Sequence, residues 1–256
     1  MRGDVLRGKI MKKIIKLVCV LFLLMIGVIS TISTVNAQES VLKIVKDEGY
    51  EIGSSDAPKA SLVVSIANGE ILWQENPDKA VDPASLSKLM TIFIVYDAIK
   101  EGKINLSDKV VPTATDEAIS KITALSNVPL TAGVEYPVEE LVKMALLPSS
   151  NAATILLSQL VSNNSATILL SHLVNDNSDE FVDLMNQKAK ELGMTNTKFE
   201  GATGAVAEDF QGHYTVKRHS MNQPNQTTAR DLAKMVIALY KVHPELTQYT
   251  RNSTLT

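Results

Sequence analysis

Two short patterns in this 256-residue chain bring together residue types that can carry acyl-transfer chemistry. In the first, Ser85-Leu86-Ser87-Lys88 opens an apolar periodic stretch, so Lys88 falls one helical turn beyond Ser85 on the same face. A serine hydroxyl becomes nucleophilic when a neighbouring base takes its proton, and a lysine serves as that base when desolvation favours its neutral amine. A helix start also offers backbone N–H groups where an acyl oxyanion would form. The second pattern, Ser149-Ser150-Asn151, lies 61 positions beyond Lys88 and follows Pro148. It supplies a hydroxyl that can relay a proton and an amide that can bond a peptide carbonyl. Neither pattern is specific alone. Ser40-x-x-Lys43 repeats the first, Ser162-Asn163-Asn164 and Ser220-Met221-Asn222 repeat the second, and all are ordinary helix-capping residues. The joint context carries the expectation: Ser-x-x-Lys at a helix start after a hairpin, then Ser-x-Asn between two helices.

The elements that must hold these residues are legible in the hydropathy pattern. A strand is predicted over 60–66, a two-residue turn at Asn68-Gly69 and a return strand over 70–73. Leu89, Ile92, Phe93, Tyr96 and Ile99 recur at helical spacing up to Lys100, with Gly102 as the stop. Further helices are predicted over 138–147, 152–161, 179–192 and 228–242, the last opened by the capping-box variant Thr228-Ala-Arg-Asp231. Residues 201–204 and 211–226 read as loops. Two strands followed mostly by helices give an α+β pattern.

One stretch departs from that order. Ala153-Thr-Ile-Leu-Leu-Ser-Gln-Leu-Val161 recurs as Ala166-Thr-Ile-Leu-Leu-Ser-His-Leu-Val174, 13 residues later. Thirteen residues turn a helix roughly 140° out of phase, so both copies cannot face one core on one straight helix. The expectation is a break at Ser162-Asn163-Asn164 that loops one copy out.

The chain has 25 Lys+Arg against 28 Asp+Glu, but residues 1–37 hold six basic side chains and one acid, leaving the remainder at −8. An acidic body repels a nucleic-acid backbone, so no nucleic-acid partner is expected. The basic start, the apolar run 17–29 and the small-residue end Val35-Asn36-Ala37 have the parts of a secretory signal peptide over 1–37. The competing reading is an uncleaved anchor, for which the apolar run is short. The single cysteine, Cys19, lies inside that segment, so the exported chain would have neither a disulfide nor a thiol nucleophile. His172, His213, His219 and His243 show no metal-ligand spacing, and no metal and no cofactor are expected.

The combination of Pro83-Ala-Ser-Leu-Ser-Lys-Leu-Met-Thr91, Pro148-Ser-Ser-Asn-Ala152, Phe181–Asn186 with Ala189–Asn196, and Thr227-Thr-Ala-Arg-Asp-Leu232 resembles the low-molecular-weight penicillin-binding proteins. More narrowly, it resembles the serine-type D-alanyl-D-alanine carboxypeptidases, over about residues 55–250. The resemblance implies a penicilloyl-serine-transferase fold, of the beta-lactamase and DD-peptidase kind, with an antiparallel sheet flanked by helices. It implies removal of the terminal D-alanine from peptidoglycan pentapeptide stems through an acyl-enzyme on Ser85. Lys88 would be the base, Ser149 the proton relay towards the leaving D-alanine, and Asn151 a substrate-binding residue that also helps to hold Lys88. Beta-lactam antibiotics would be inhibitors, and the location would be extracytoplasmic, in the cell envelope or secreted.

The sequence also departs from that family. The Lys-Thr-Gly motif, which clamps the substrate carboxylate, is absent from these residues, as are the later strands and the membrane-anchoring helix. The sequence reading therefore expects a catalytic domain over 38–256 that is incomplete at its C-terminus and impaired in turnover. Two other readings compete: a non-catalytic cell-wall or penicillin-binding module, and a class A beta-lactamase-like hydrolase, although the latter usually has Ser-Asp-Asn.

Overall fold

The computed structural model describes residues 40–50, 53, 57–162 and 178–251. It divides into a leading unit up to Tyr50 and a main unit from Glu51. The predicted signal segment and the second repeat copy, 166–174, lie outside the described residues. In the leading unit, α1 (Val41–Asp47) is capped by Ser40, whose Oγ accepts from Lys43 N, and Lys43 Nζ pairs with Asp47 at 3.0 Å.

The main unit opens with β1 (Ser61–Val64) and β2 (Ile71–Glu75), an antiparallel pair with a register shift between Val63 and Val64. The turn is longer than the two residues expected: Ser65 N donates to Glu70 O and Gly69 N to Ser65 O, closing a four-residue loop. A two-residue type I′ turn needs positive φ at both central positions, and here only Gly69 adopts it, at 76°. Asn68 instead uses its Oδ1 to accept from Glu70 N. A second small ladder pairs β3 (Lys109–Val110) with β4 (Tyr136–Pro137).

The helices are α2 (Lys88–Lys100), α3 (Ala114–Ser120), α4 (Val138–Leu146), α5 (Asn151–Ser162), α6 (Ser178–Glu191), α7 (Ala229–Val242) and the short α8 (Thr247–Thr250). Five match predicted helices within a residue or two. Helix α3 was not predicted, because its apolar spacing is weak; it is fixed by a capping box between Thr113 and Asp116. Only half of the box expected at α7 forms. Thr228 Oγ1 accepts from Asp231 N, but the Asp231 carboxylate turns to Asn196 N, Thr197 Oγ1 and Lys234 Nζ.

Helices α2 and α5 form the centre. Met90, Ile92, Phe93, Val95 and Tyr96 of α2 and Ala153, Ile155, Leu156, Leu157 and Leu160 of α5 are buried. Apolar residues on every face of α5 suit a helix enclosed by α2, α3, α4 and α6, each of which packs against it. Helix α7 lies against β1. Arg230 ties α7 to β2 and the turn after it, its guanidinium on the Asp78 carboxylate at 2.7 and 3.0 Å and on Gln74 Oε1. Of the histidines, His243 is a core residue set edge-on to Phe93 and Tyr96 and bonded to Asp97 at 2.8 Å. Among the described residues, no helix is long and apolar enough to cross a membrane.

Candidate active site

Ser85 sits in a 3-10 turn, Ala84–Ser87, that runs straight into α2, so Lys88 is the first residue of the helix and points back along the turn. Lys88 Nζ lies 3.0 Å from Ser85 Oγ and donates to Thr203 O at 3.2 Å. Lys88 is 3% exposed, and burial pulls its ammonium down to about 8, where an appreciable fraction is neutral near physiological pH. Ser85 remains exposed. The other Ser-x-x-Lys of the chain makes the contrast: Ser40 is a helix cap and the Lys43 side chain is 56% exposed beside Asp47. Identical spacing thus gives a buried amine against its serine in one place and a solvated cation in the other, and burial is what separates them.

Ser149 joins the pair. It lines the same cavity as Ser85 and Lys88, with a volume of about 380 Å³ and apolar walls that include Leu86, Leu89 and Leu146. Two non-glycine residues at this cavity have left-handed backbone, Ala84 at φ 45° immediately before Ser85 and Ser149 at φ 59°. Each conformation costs about 1–2 kcal/mol for a residue bearing a Cβ and persists where surrounding contacts impose it. For Ala84 the contact is Gly204, also left-handed, at φ 89°. A Cβ on Gly204 would stand 2.0 Å from Ala84 O, so only glycine lets the 201–204 loop close on the serine turn.

Asn151 is brought to the neighbourhood but not to Lys88. Its Nδ2 donates to Ser126 O at 3.0 Å, its backbone N donates to the same oxygen, and its buried Oδ1 has no hydrogen-bond partner. The expectation that Asn151 helps to hold Lys88 is therefore corrected: the second acceptor on the amine is Thr203 O. Residues 126–128 cap α5, Asn127 Oδ1 taking Ala152 N and Ser150 Oγ bonding both Val128 N and Ala153 N. The Ser-x-Asn turn is thus shaped by helix capping from a separate loop.

Sequence reading also passed over the 201–204 loop, treating it as a connection. Besides Thr203 O on Lys88 and Gly204 on Ala84, Ala202 O accepts from Thr91 Oγ1 at 2.7 Å, so three successive residues grip the serine turn and its helix. The paired glycines Gly201 and Gly204 were the available signal. Among the described residues, no cluster of metal-ligating side chains is present.

The chain matches the family model for D-alanyl-D-alanine carboxypeptidases (peptidase S11) in two segments, residues 53–162 and 156–256. It is 31% identical over 192 residues to the D-alanyl-D-alanine carboxypeptidase DacF of Bacillus subtilis, covering 75% of this chain and 41% of that protein. Among solved structures, a peptidoglycan synthesis regulatory factor (PBP3) of Streptococcus pneumoniae superposes with TM-score 0.68 at 26% identity, covering 77% of this chain and 51% of that one. Penicillin-binding protein D2 of Listeria monocytogenes, in its ampicillin-bound form, superposes with TM-score 0.57 at 29% identity over 77% of this chain and 67% of that one. The chain spans about two fifths of the length of the curated carboxypeptidases it matches. The α+β architecture is that of the penicilloyl-serine transferases, and with the family model covering four fifths of its residues the chain belongs to the D-alanyl-D-alanine carboxypeptidase family.

Proposed function

We propose that this chain carries the nucleophilic half of a serine D-alanyl-D-alanine carboxypeptidase site, acting on peptidoglycan stem peptides and acylated by beta-lactams. The single observation that carries the reading is the buried amine of Lys88 at 3.0 Å from the exposed Ser85 hydroxyl. Lys88 Nζ takes the hydroxyl proton as Ser85 Oγ attacks the carbonyl of the penultimate D-alanine. The tetrahedral intermediate collapses, the C–N bond breaks, and D-alanine leaves with a proton relayed through Ser149. Water, deprotonated by the same amine, then hydrolyses the ester and restores Ser85. Asn151 is assigned to the substrate backbone, its unpartnered Oδ1 being an unused acceptor. Export through residues 1–37 and an extracytoplasmic location belong to the same reading, since the substrate lies outside the cytoplasm.

Formation of the acyl-enzyme on Ser85 precedes every later step of the reaction. Acylation is thus the step to measure. Intact-protein mass spectrometry after incubation with benzylpenicillin is expected to show one penicilloyl adduct on the unmutated chain and none on Ser85→Ala. A folded chain that takes no adduct would select the binding-module reading, and rapid release of hydrolysed penicillin would select a beta-lactamase-like one.

A further inference from the structure

The 201–204 loop holds Lys88 and the turn that carries Ser85, but the contacts that fix the loop lie elsewhere. Residues 198 and 226 exchange two backbone hydrogen bonds, at 2.8 and 2.9 Å, and Val81 and Thr227 exchange two more, so three distant segments meet beneath the serine turn. In the middle of this junction Asn225 is 3% exposed. Its Oδ1 accepts from Glu200 N at 2.6 Å and Gly201 N at 3.1 Å; its Nδ2 donates to Gly201 O at 2.9 Å and Ser87 Oγ at 2.8 Å. An asparagine amide has two hydrogens and two acceptor sites on its oxygen, and all four are used.

The partners define a role. Ser87 stands between the nucleophile and the base, while Glu200 and Gly201 open the loop whose Thr203 O receives a hydrogen from Lys88. Removing one partner of a buried, fully bonded amide leaves the others unsatisfied, so the junction responds as a unit. We propose that Asn225 is a positioning residue for the Ser85–Lys88 pair: through Ser87 and the 201–204 loop it keeps the Lys88 amine dry, directed at Ser85 and able to accept its proton. No contact between Asn225 and the reacting atoms is involved.

The polar groups that face Lys88 Nζ are neutral, Ser85 Oγ and Thr203 O, and burial is the cause of its lowered pKa. The nearest acid at the junction, Glu200, turns its carboxylate to Lys198, Ser220 N and His219. Loosening the loop therefore acts on Lys88 through water, which restores the charged amine.

The inference rests on the catalytic reading of Ser85 and Lys88, but its first readout does not need activity. The full chain labelled with 13C-lysine is titrated by NMR, with the Lys88 Cε signal assigned by Lys88→Arg, for the parent, Asn225→Ala and Ser87→Ala. The Lys88 midpoint is expected to rise from about 8 by about one pH unit in Asn225→Ala and by a smaller step in Ser87→Ala. The penicillin acylation rate is expected to move with it, falling about tenfold at pH 7 and recovering at higher pH, a displaced profile and not a scaled one. Ser87→Ala deletes a single hydroxyl, so it reports on the coupling if Asn225→Ala does not fold. An unmoved Lys88 midpoint in a folded variant overturns the proposal. A parent chain that takes no penicillin while the midpoints shift would overturn the catalytic reading and leave the positioning intact.

Discussion

Lys88 is the residue at which burial becomes chemistry. Its amine is held down to about 8 by desolvation, while in the unfolded chain it titrates near the ordinary 10.5. Between those values the unfolded state binds more protons than the folded state, so stability rises with pH across the window from about 8 to 10.5. Below it the folded protein carries the full cost of a buried ammonium, about 3 kcal/mol. Chemical denaturation at pH 7 and pH 10 is expected to show the parent gaining most of that amount relative to Lys88→Met, which has no charge to release. A constant difference between the two proteins would mean that Lys88 is solvated when folded. Acylation of Ser85 should rise over the lower part of the same window as the neutral amine accumulates. The two Ser-x-x-Lys sequences could not be ranked by spacing, since Lys43 and Lys88 stand equally far from their serines.

Helix α5 shows how an element constrains its own sequence. The first repeat copy fills a slot in which Ala153, Thr154, Ile155, Leu156, Leu157 and Ser158 are fully buried, and the position at which the copies differ, Gln159, is only half-buried. Deleting 149–161 or 162–174 leaves chains with one copy each, differing at Ser150/Asn163, Ala152/Ser165 and Gln159/His172. Loss of 162–174 keeps Ser150, whose hydroxyl bonds Val128 N and Ala153 N, and is expected to leave the melting temperature unchanged. Loss of 149–161 places a larger Asn and an added hydroxyl at two buried positions, costing about 2–3 kcal/mol. Circular dichroism melts of both deletions test this order; the reverse order would mean that α5 does not use the first copy. The sequence also showed most of the other helices, because their apolar spacing is local. It missed α3, which depends on the Thr113–Asp116 cap, and it misjudged the hairpin turn, which depends on where Asn68 sits in φ.

At the scale of the whole main unit, the helices share one core while the hairpin is attached from one side. Val63, Ile66, Ile71 and Leu72 of the hairpin are exposed, Leu72 at 60%, while β1 packs on α7 and Arg230 bridges to Asp78 and Gln74. An isolated two-stranded hairpin is marginal in water, so its order depends on α7. The only tryptophan, Trp73, lies on β2 and reports on the hairpin. In urea its fluorescence change is expected to precede the loss of helical circular dichroism, and Arg230→Ala should widen the gap. Coincident transitions in both proteins would show that the hairpin and the helices unfold as one. By itself the sequence determined five of the helices, the two strands of the hairpin and the α+β class, and it singled out Ser85, Lys88, Ser149 and Asn151 as candidates, because each rests on periodicity or on neighbours within a few positions. Only the tertiary structure decided that Lys88 is dry and bonded to Thr203, that Gly204 closes on Ala84, that Asn225 anchors the loop and that Asn151 turns to Ser126. Lys88 to Thr203 spans 115 positions and Ser87 to Asn225 spans 138. Contacts of that separation leave no periodic trace along the chain, and the burial they create is what sets the Ser85–Lys88 pair apart from the other Ser-x-x-Lys spacing of the chain.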